Sequence, residues 1–136
     1  MQVYKKILVP IDCSPVDHAI IEHVKALAIQ NGAKVHLLHV VHSHSLDQER
    51  VLHKETEATL KSYREALQAL DIETRTVIRS GEPDEEILAE VAGEDYDLVA
   101  MATHGHRFIG DMLFGSVSTA LKHRINIPLL LLRAER

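Results

Sequence analysis

Apolar residues recur along the chain in two alternating rhythms. Short continuous runs stand at Ile7 to Ile11, Val35 to Val41, Thr74 to Ile78, Leu98 to Ala102 and Pro128 to Leu132. Between them lie longer stretches in which apolar positions return every three or four residues. The first rhythm predicts strands covered on both faces, as a parallel sheet requires, and the second predicts helices. Their alternation is the pattern of βα units. The expectation is one α/β domain over residues 1–136, a doubly wound five-stranded parallel sheet with helices on both faces.

The polar residues between the runs mark where helices begin and end. Ser14-Pro15-Val16-Asp17 offers an N-cap hydroxyl, a proline for the first helical position and an acid at N3. Ile20, Ile21, Val24, Leu27 and Ala28 then form one buried stripe that stops near Asn31-Gly32. A second helix is predicted from about Leu46 to Leu70, with Leu60, Leu67 and Leu70 inward. A third opens at Glu82-Pro83-Asp84-Glu85-Glu86, acids where the helix dipole favours them, and turns Ile87, Leu88 and Val91 inward. A fourth spans about Val117 to His123, after a glycine-bearing loop. Ligands on doubly wound sheets collect at the carboxyl ends of the strands, so the residues just after each strand hold the candidate chemistry.

Composition narrows the partners. With 15 basic and 20 acidic residues the net charge is −5, which repels phosphate backbones and anionic lipid, so no nucleic acid is expected. No apolar run approaches the roughly 18 residues of a membrane span, and the first residues do not read as a signal peptide. The one cysteine, Cys13, fits a reducing compartment, and a cytoplasmic location is expected. His39, His42 and His44 lie near the end of a strand, but no cysteine or carboxylate cluster joins them, so no metal site is assigned.

The loop after the fourth strand carries the clearest chemical signal. It runs from Ala102-Thr103-His104-Gly105 to Gly115-Ser116-Val117-Ser118, with glycines that let backbone approach a ligand and a helix start that offers N–H groups to phosphate. His104, His106 and Arg107 could add to polyphosphate contact. It is not a Walker loop, since Gly115 is followed by Ser116-Val117 rather than Lys and a hydroxyl residue, and a dinucleotide fingerprint would follow the first strand instead.

The chain resembles the universal stress protein family from end to end. The resemblance rests on Ile7-Leu8-Val9-Pro10-Ile11-Asp12, Leu38-His39-Val40, Gly81-Glu82-Pro83 and Asp97 through Gly105. The family's ATP-binding branch carries Gly, two residues, Gly, nine residues, Gly, then Ser or Thr. Gly105, Gly115 and Ser116 match, while Ala102 replaces the first glycine. The resemblance implies ATP or AMP binding, with Mg²⁺ or Mn²⁺ as a common companion. Asp12 would contact ribose; Pro10, Ile11, Val40 and Met101 would wall the base; Gly105, Gly115, Ser116, Val117 and Ser118 would hold phosphates. The Ala102 methyl would crowd the ligand and weaken binding.

No catalytic residues are assigned, because neither a phosphate-loop lysine nor a nucleophile with its base can be argued from spacing. The expected function is a regulatory module that binds ATP or AMP in a stress response and hydrolyses it slowly at most. The alternative is a nucleotide-independent member acting through protein contacts. In the expected strand order 3-2-1-4-5 the last strand, with four consecutive leucines from Leu129, forms a sheet edge, which predicts a homodimer through that strand.

Overall fold

Five strands and four helices alternate strictly in a computed structural model that describes residues 2–42, 45–104 and 113–134, with the side chains of 104, 113–116 and 134 left out. They are β1 (Lys6–Pro10), α1 (Asp17–Asn31), β2 (Lys34–Val41), α2 (Leu46–Gln68), β3 (Thr74–Ser80), α3 (Pro83–Gly93), β4 (Leu98–His104), α4 (Leu113–Arg124) and β5 (Leu129–Ala134). All strand pairs are parallel, as the alternation of rhythms predicts, and the order is the expected β3-β2-β1-β4-β5.

The runs of continuous apolar residues become strands because each face meets its own helix layer. One face packs Ile7, Val9, Ile11, Val35, Leu37 and Ala100 with Ile20, Val24 and Ala28 of α1 and Leu60 and Leu67 of α2. The other packs Leu8, Leu38, Val40, Val99 and Met101 with Ile87 of α3 and Val117 and Leu121 of α4. Strand residues thus alternate between the two clusters with the period of the pleat.

Helix ends follow local chemistry, with three departures from expectation. Gly32 closes α1 in the left-handed region at φ 64°, its N–H bonded to the Ala28 carbonyl. Ser45 caps α2 by accepting from the Gln48 N–H at 3.1 Å. The hydroxyl of Ser14, however, does not cap α1: the helix begins at Asp17 behind Val16, and the Ser14 hydroxyl turns to Asp12. A turn held by the Ser14 carbonyl precedes the helix instead. Leu70 is 45% exposed, because α2 ends at Gln68 and the chain turns before that leucine reaches the core. Helix α4 begins at Leu113, so Gly115 and Ser116 lie within its first turn rather than before it.

The sheet also fixes where a ligand could sit. β1 pairs with β2 as far as Pro10–Leu38, whereas its registered pairing with β4 ends at Leu8–Val99. The winding reverses between β1 and β4, which is the switch point at which such sheets bind ligands.

Candidate functional site

The carboxyl end of β1 runs into a tight loop that presents Asp12 beside an apolar cleft. Beyond the strand, Ile11 stays attached to the sheet through its N–H to the Leu38 carbonyl at 2.7 Å, and its own carbonyl receives Nδ1 of His39 at 2.6 Å. A carbonyl only accepts, so the proton of this imidazole sits on Nδ1. The cleft is lined by Pro10, Ile11, Asp12, Leu38, His39, Val40, Pro83 and Ile87. Its free volume is about 20 Å³, room for about one water.

Four residues predicted from sequence therefore meet here: Pro10, Ile11, Asp12 and Val40. Met101 and Val117 are fully buried in the same apolar cluster as Val40, and Ser118 is 8% exposed on α4. Ala102 departs from this grouping. It is 1% exposed and its methyl belongs to the opposite cluster, under α1 and α2. Gly105, His106 and Arg107 fall outside the described residues, as do the side chains of His104 and Ser116.

The loop itself is organised by a residue that sequence reading took only for a helix-start acid. Asp17 is 1% exposed; its Oδ1 accepts the Asp12 N–H at 2.9 Å and its Oδ2 accepts the Ser14 N–H at 3.2 Å. Tyr63 of α2 donates its hydroxyl to the same Oδ2 at 3.0 Å. The Asp12 side chain is oriented in turn by the Ser14 hydroxyl, which donates to Oδ2 at 2.8 Å. Pattern alone could not show this, since an acid after Ser-Pro reads equally well as a solvated dipole partner.

Burial sets the electrostatics of the loop. It raises the carboxyl of Asp17 above the ordinary value of 3.8, against the opposing pull of the bonds it accepts from Asp12, Tyr63, Ser14 and Cys13. Burial, then the charges of Asp17 and Asp12, push the Cys13 thiol up to about 12, so at neutral pH it is a thiol and not a nucleophilic thiolate. The Tyr63 phenol is raised by burial and by Asp17 and stays a neutral donor. His42 pairs with Glu82 at 3.2 Å and Nδ1 of His39 is committed to the Ile11 carbonyl, while His44 falls outside the described residues.

The arrangement matches known proteins. The model of the universal stress protein family matches residues 3–133. Universal stress protein MJ0577 of Methanocaldococcus jannaschii is 24% identical over 96% of each chain. A solved structure of MJ0577 superposes with a TM-score of 0.85 at 27% identity, covering 98% of both chains. Two further structures share the fold at lower identity. One is a universal stress protein in complex with cAMP, with a TM-score of 0.74 and 17% identity over 96% of this chain and 98% of that one. The other is the Archaeoglobus fulgidus protein in complex with dAMP, with a TM-score of 0.72 and 18% identity over 96% and 98%.

Proposed function

This chain belongs to the universal stress protein family, and we propose that it binds an adenine nucleotide, ATP or AMP, at the carboxyl end of β1 as a regulatory module in the cytoplasm. The observation that carries the reading is Asp12, held by Ser14 at 2.8 Å, next to the apolar cleft of Pro10, Ile11 and Val40 at the sheet's switch point. A carboxylate suits the paired hydroxyls of ribose, and an apolar wall suits a base. Relatives of the same fold are complexes with cAMP and dAMP, which supports an adenine ligand in kind.

The phosphates fall to Gly105, Gly115, Ser116, Val117 and Ser118, whose spacing keeps the family pattern across the first turn of α4. A helix start supplies free amides to such a group. Among the residues lining the cleft, Asp12 is the one carboxylate, so Mg²⁺ or Mn²⁺ would depend chiefly on the phosphates for its oxygens. The Asp17 carboxylate is already committed to the loop amides and Tyr63. Hydrolysis would be slow, because no described side chain is paired with a base to activate water at this site.

A second reading is favoured by one observation. As the described residues line it, the cleft of about 20 Å³ is far below the few hundred Å³ of a typical ligand pocket. A base would lie against the cleft rather than inside it. A member of the family that works through protein contacts without nucleotide would look the same here. The last strand, β5, is an open sheet edge beside β4 and would pair with a second copy of the chain in either reading.

Mass spectrometry of protein purified without added nucleotide, followed by calorimetry with ATP and Mg²⁺, separates the two. We expect micromolar to submillimolar binding, with Asp12→Ala and Ser116→Ala each weakening it by about 1 to 2 kcal/mol. No heat at millimolar ATP and no co-purified nucleotide would favour the protein-contact reading.

A further inference from the structure

Asp17 is buried five residues beyond Asp12, at the first residue of α1, where an acid ordinarily faces water. Nucleotide contact at Asp12 makes no direct use of it. Three consecutive loop amides are nevertheless aimed at its carboxylate: those of Asp12 and Ser14 at 2.9 and 3.2 Å, and that of Cys13. To allow this, Cys13 takes a φ of 61°, a left-handed conformation that a non-glycine residue keeps only where its surroundings over-determine it.

The surroundings that do so come from another element. Tyr63 and Thr56 lie two turns apart on one face of α2. Tyr63 donates to Asp17 at 3.0 Å, and Thr56, itself 5% exposed, stands beside the Cys13 thiol. The loop that carries Asp12 is therefore gripped from α1 through its backbone, and α2 reaches the same carboxylate through Tyr63. The titratable groups against this contact are Cys13 and Asp12 of the loop and His18 of α1, whose ring meets that of Tyr63 edge-on at 6.5 Å.

The geometry points to Asp17 and Tyr63 as a positioning pair that ties the Asp12 loop to helix α2, coupling contact at Asp12 to the seating of that helix. The Asp12 amide is fixed by Asp17 and its side chain by Ser14, so releasing the first grip frees the direction in which the carboxylate points. Coupling of this kind is reciprocal: whatever steadies the loop steadies α2, and the reverse. The inference rests on the nucleotide reading for the identity of the ligand, but not for the tie between loop and helix.

Tyr63→Phe is the test, since it removes the hydroxyl and keeps the ring and the Asp17 charge. Tyr63 is neutral at working pH, so the change leaves thiol ionisation at Cys13 without a new charge beside it. Two quantities are read on the full chain: ATP affinity by calorimetry with Mg²⁺, and the rate at which iodoacetamide alkylates Cys13, the single cysteine. We expect a dissociation constant roughly three- to tenfold higher, the scale of losing one ordinary hydrogen bond, and faster alkylation as the loop opens. Tyr96→Phe, which removes a buried hydroxyl on the opposite face of the sheet, is the matched stability control and should move neither quantity well below its melting temperature. Unchanged alkylation and affinity in Tyr63→Phe, or equal changes in Tyr96→Phe, would overturn the pairing. If the wild type does not bind ATP, the nucleotide reading fails and the alkylation comparison alone decides the tie.

Discussion

The hydroxyl of Tyr96 donates to the buried carboxylate of Glu90 at 2.6 Å, joining the start of β4 to the last turns of α3. Since its proton goes to Glu90, the same oxygen accepts from Nδ1 of His36 at 2.8 Å. Arg79 completes the chain with Nε to Glu90 at 3.0 Å and Nη1 to Glu86 at 3.2 Å. A carboxylate 6% exposed is tolerable only with such partners. Tyr96→Phe strands a Glu90 oxygen and the His36 N–H together, so we expect a loss of about 2 to 3 kcal/mol and a melting temperature lower by on the order of 10 °C. Denaturant unfolding showing under about 0.5 kcal/mol would mean that the network is not structural.

His36 gives the network a pH dependence with a definite sign. Burial, helped by Lys6, holds its imidazole below the ordinary 6.5, so the folded protein resists a proton that the unfolded chain accepts. Stability linked to His36 is therefore full above 6.5 and is lost as pH falls from 6.5 to the lowered folded value. Urea unfolding across that window should show a steeper decline for the wild type than for His36→Gln, which cannot titrate. Parallel curves would show that His36 takes up its proton without leaving the fold.

The alternation of elements and their buried faces could be read from the sequence because each follows from apolar period, whereas the strand order does not. Ile7 to Ile11 reads as a strand buried on both faces, and the structure buries Ile7, Leu8, Val9 and Ile11 to 2% exposure or less. The site was legible only in part. Asp12 could be found as a carboxylate just past a strand, but the roles of Ser14 and Asp17 were exchanged: the hydroxyl orients Asp12 and the acid receives the loop amides. That exchange depends on Tyr63, 46 residues away, and a contact of that separation leaves no local trace. The direction of the Ala102 methyl was illegible for a related reason, since the pleat that turns it toward α1 and α2 goes with register against Leu132.

Ala102→Gly separates the motif from the core. The residue is paired with Leu132 inside β4 and 1% exposed, so glycine there loses a buried methyl and gains unfolded-state entropy. We expect about 1 to 2 kcal/mol of lost stability by chemical denaturation. Calorimetry on the same variant decides the second question: tighter ATP binding would place the methyl in the ligand's path, and unchanged binding would give it to the core alone.

Leu131→Lys addresses the open edge. Among the described residues β5 has a strand neighbour in β4 on one side only, and its leucines do not share one environment. Leu130 and Leu132 pack toward α1 and α2 and Leu129 toward α3 and α4, whereas Leu131 is 39% exposed. A lysine at Leu130 would thus disturb the core and say nothing about assembly, while at Leu131 it places a charge on the exposed position of the edge, the device by which natural edges are kept from pairing. If the chain is a homodimer through β5 with a micromolar dissociation constant, light scattering at about 50 μM should report a dimer for the wild type and a monomer for Leu131→Lys. The melting temperature of the variant, extrapolated to low concentration, should match the wild type, because the lysine can reach water. A wild-type monomer at that concentration would rule the edge out as an interface, and a dimer that survives the lysine would move the contact to another surface.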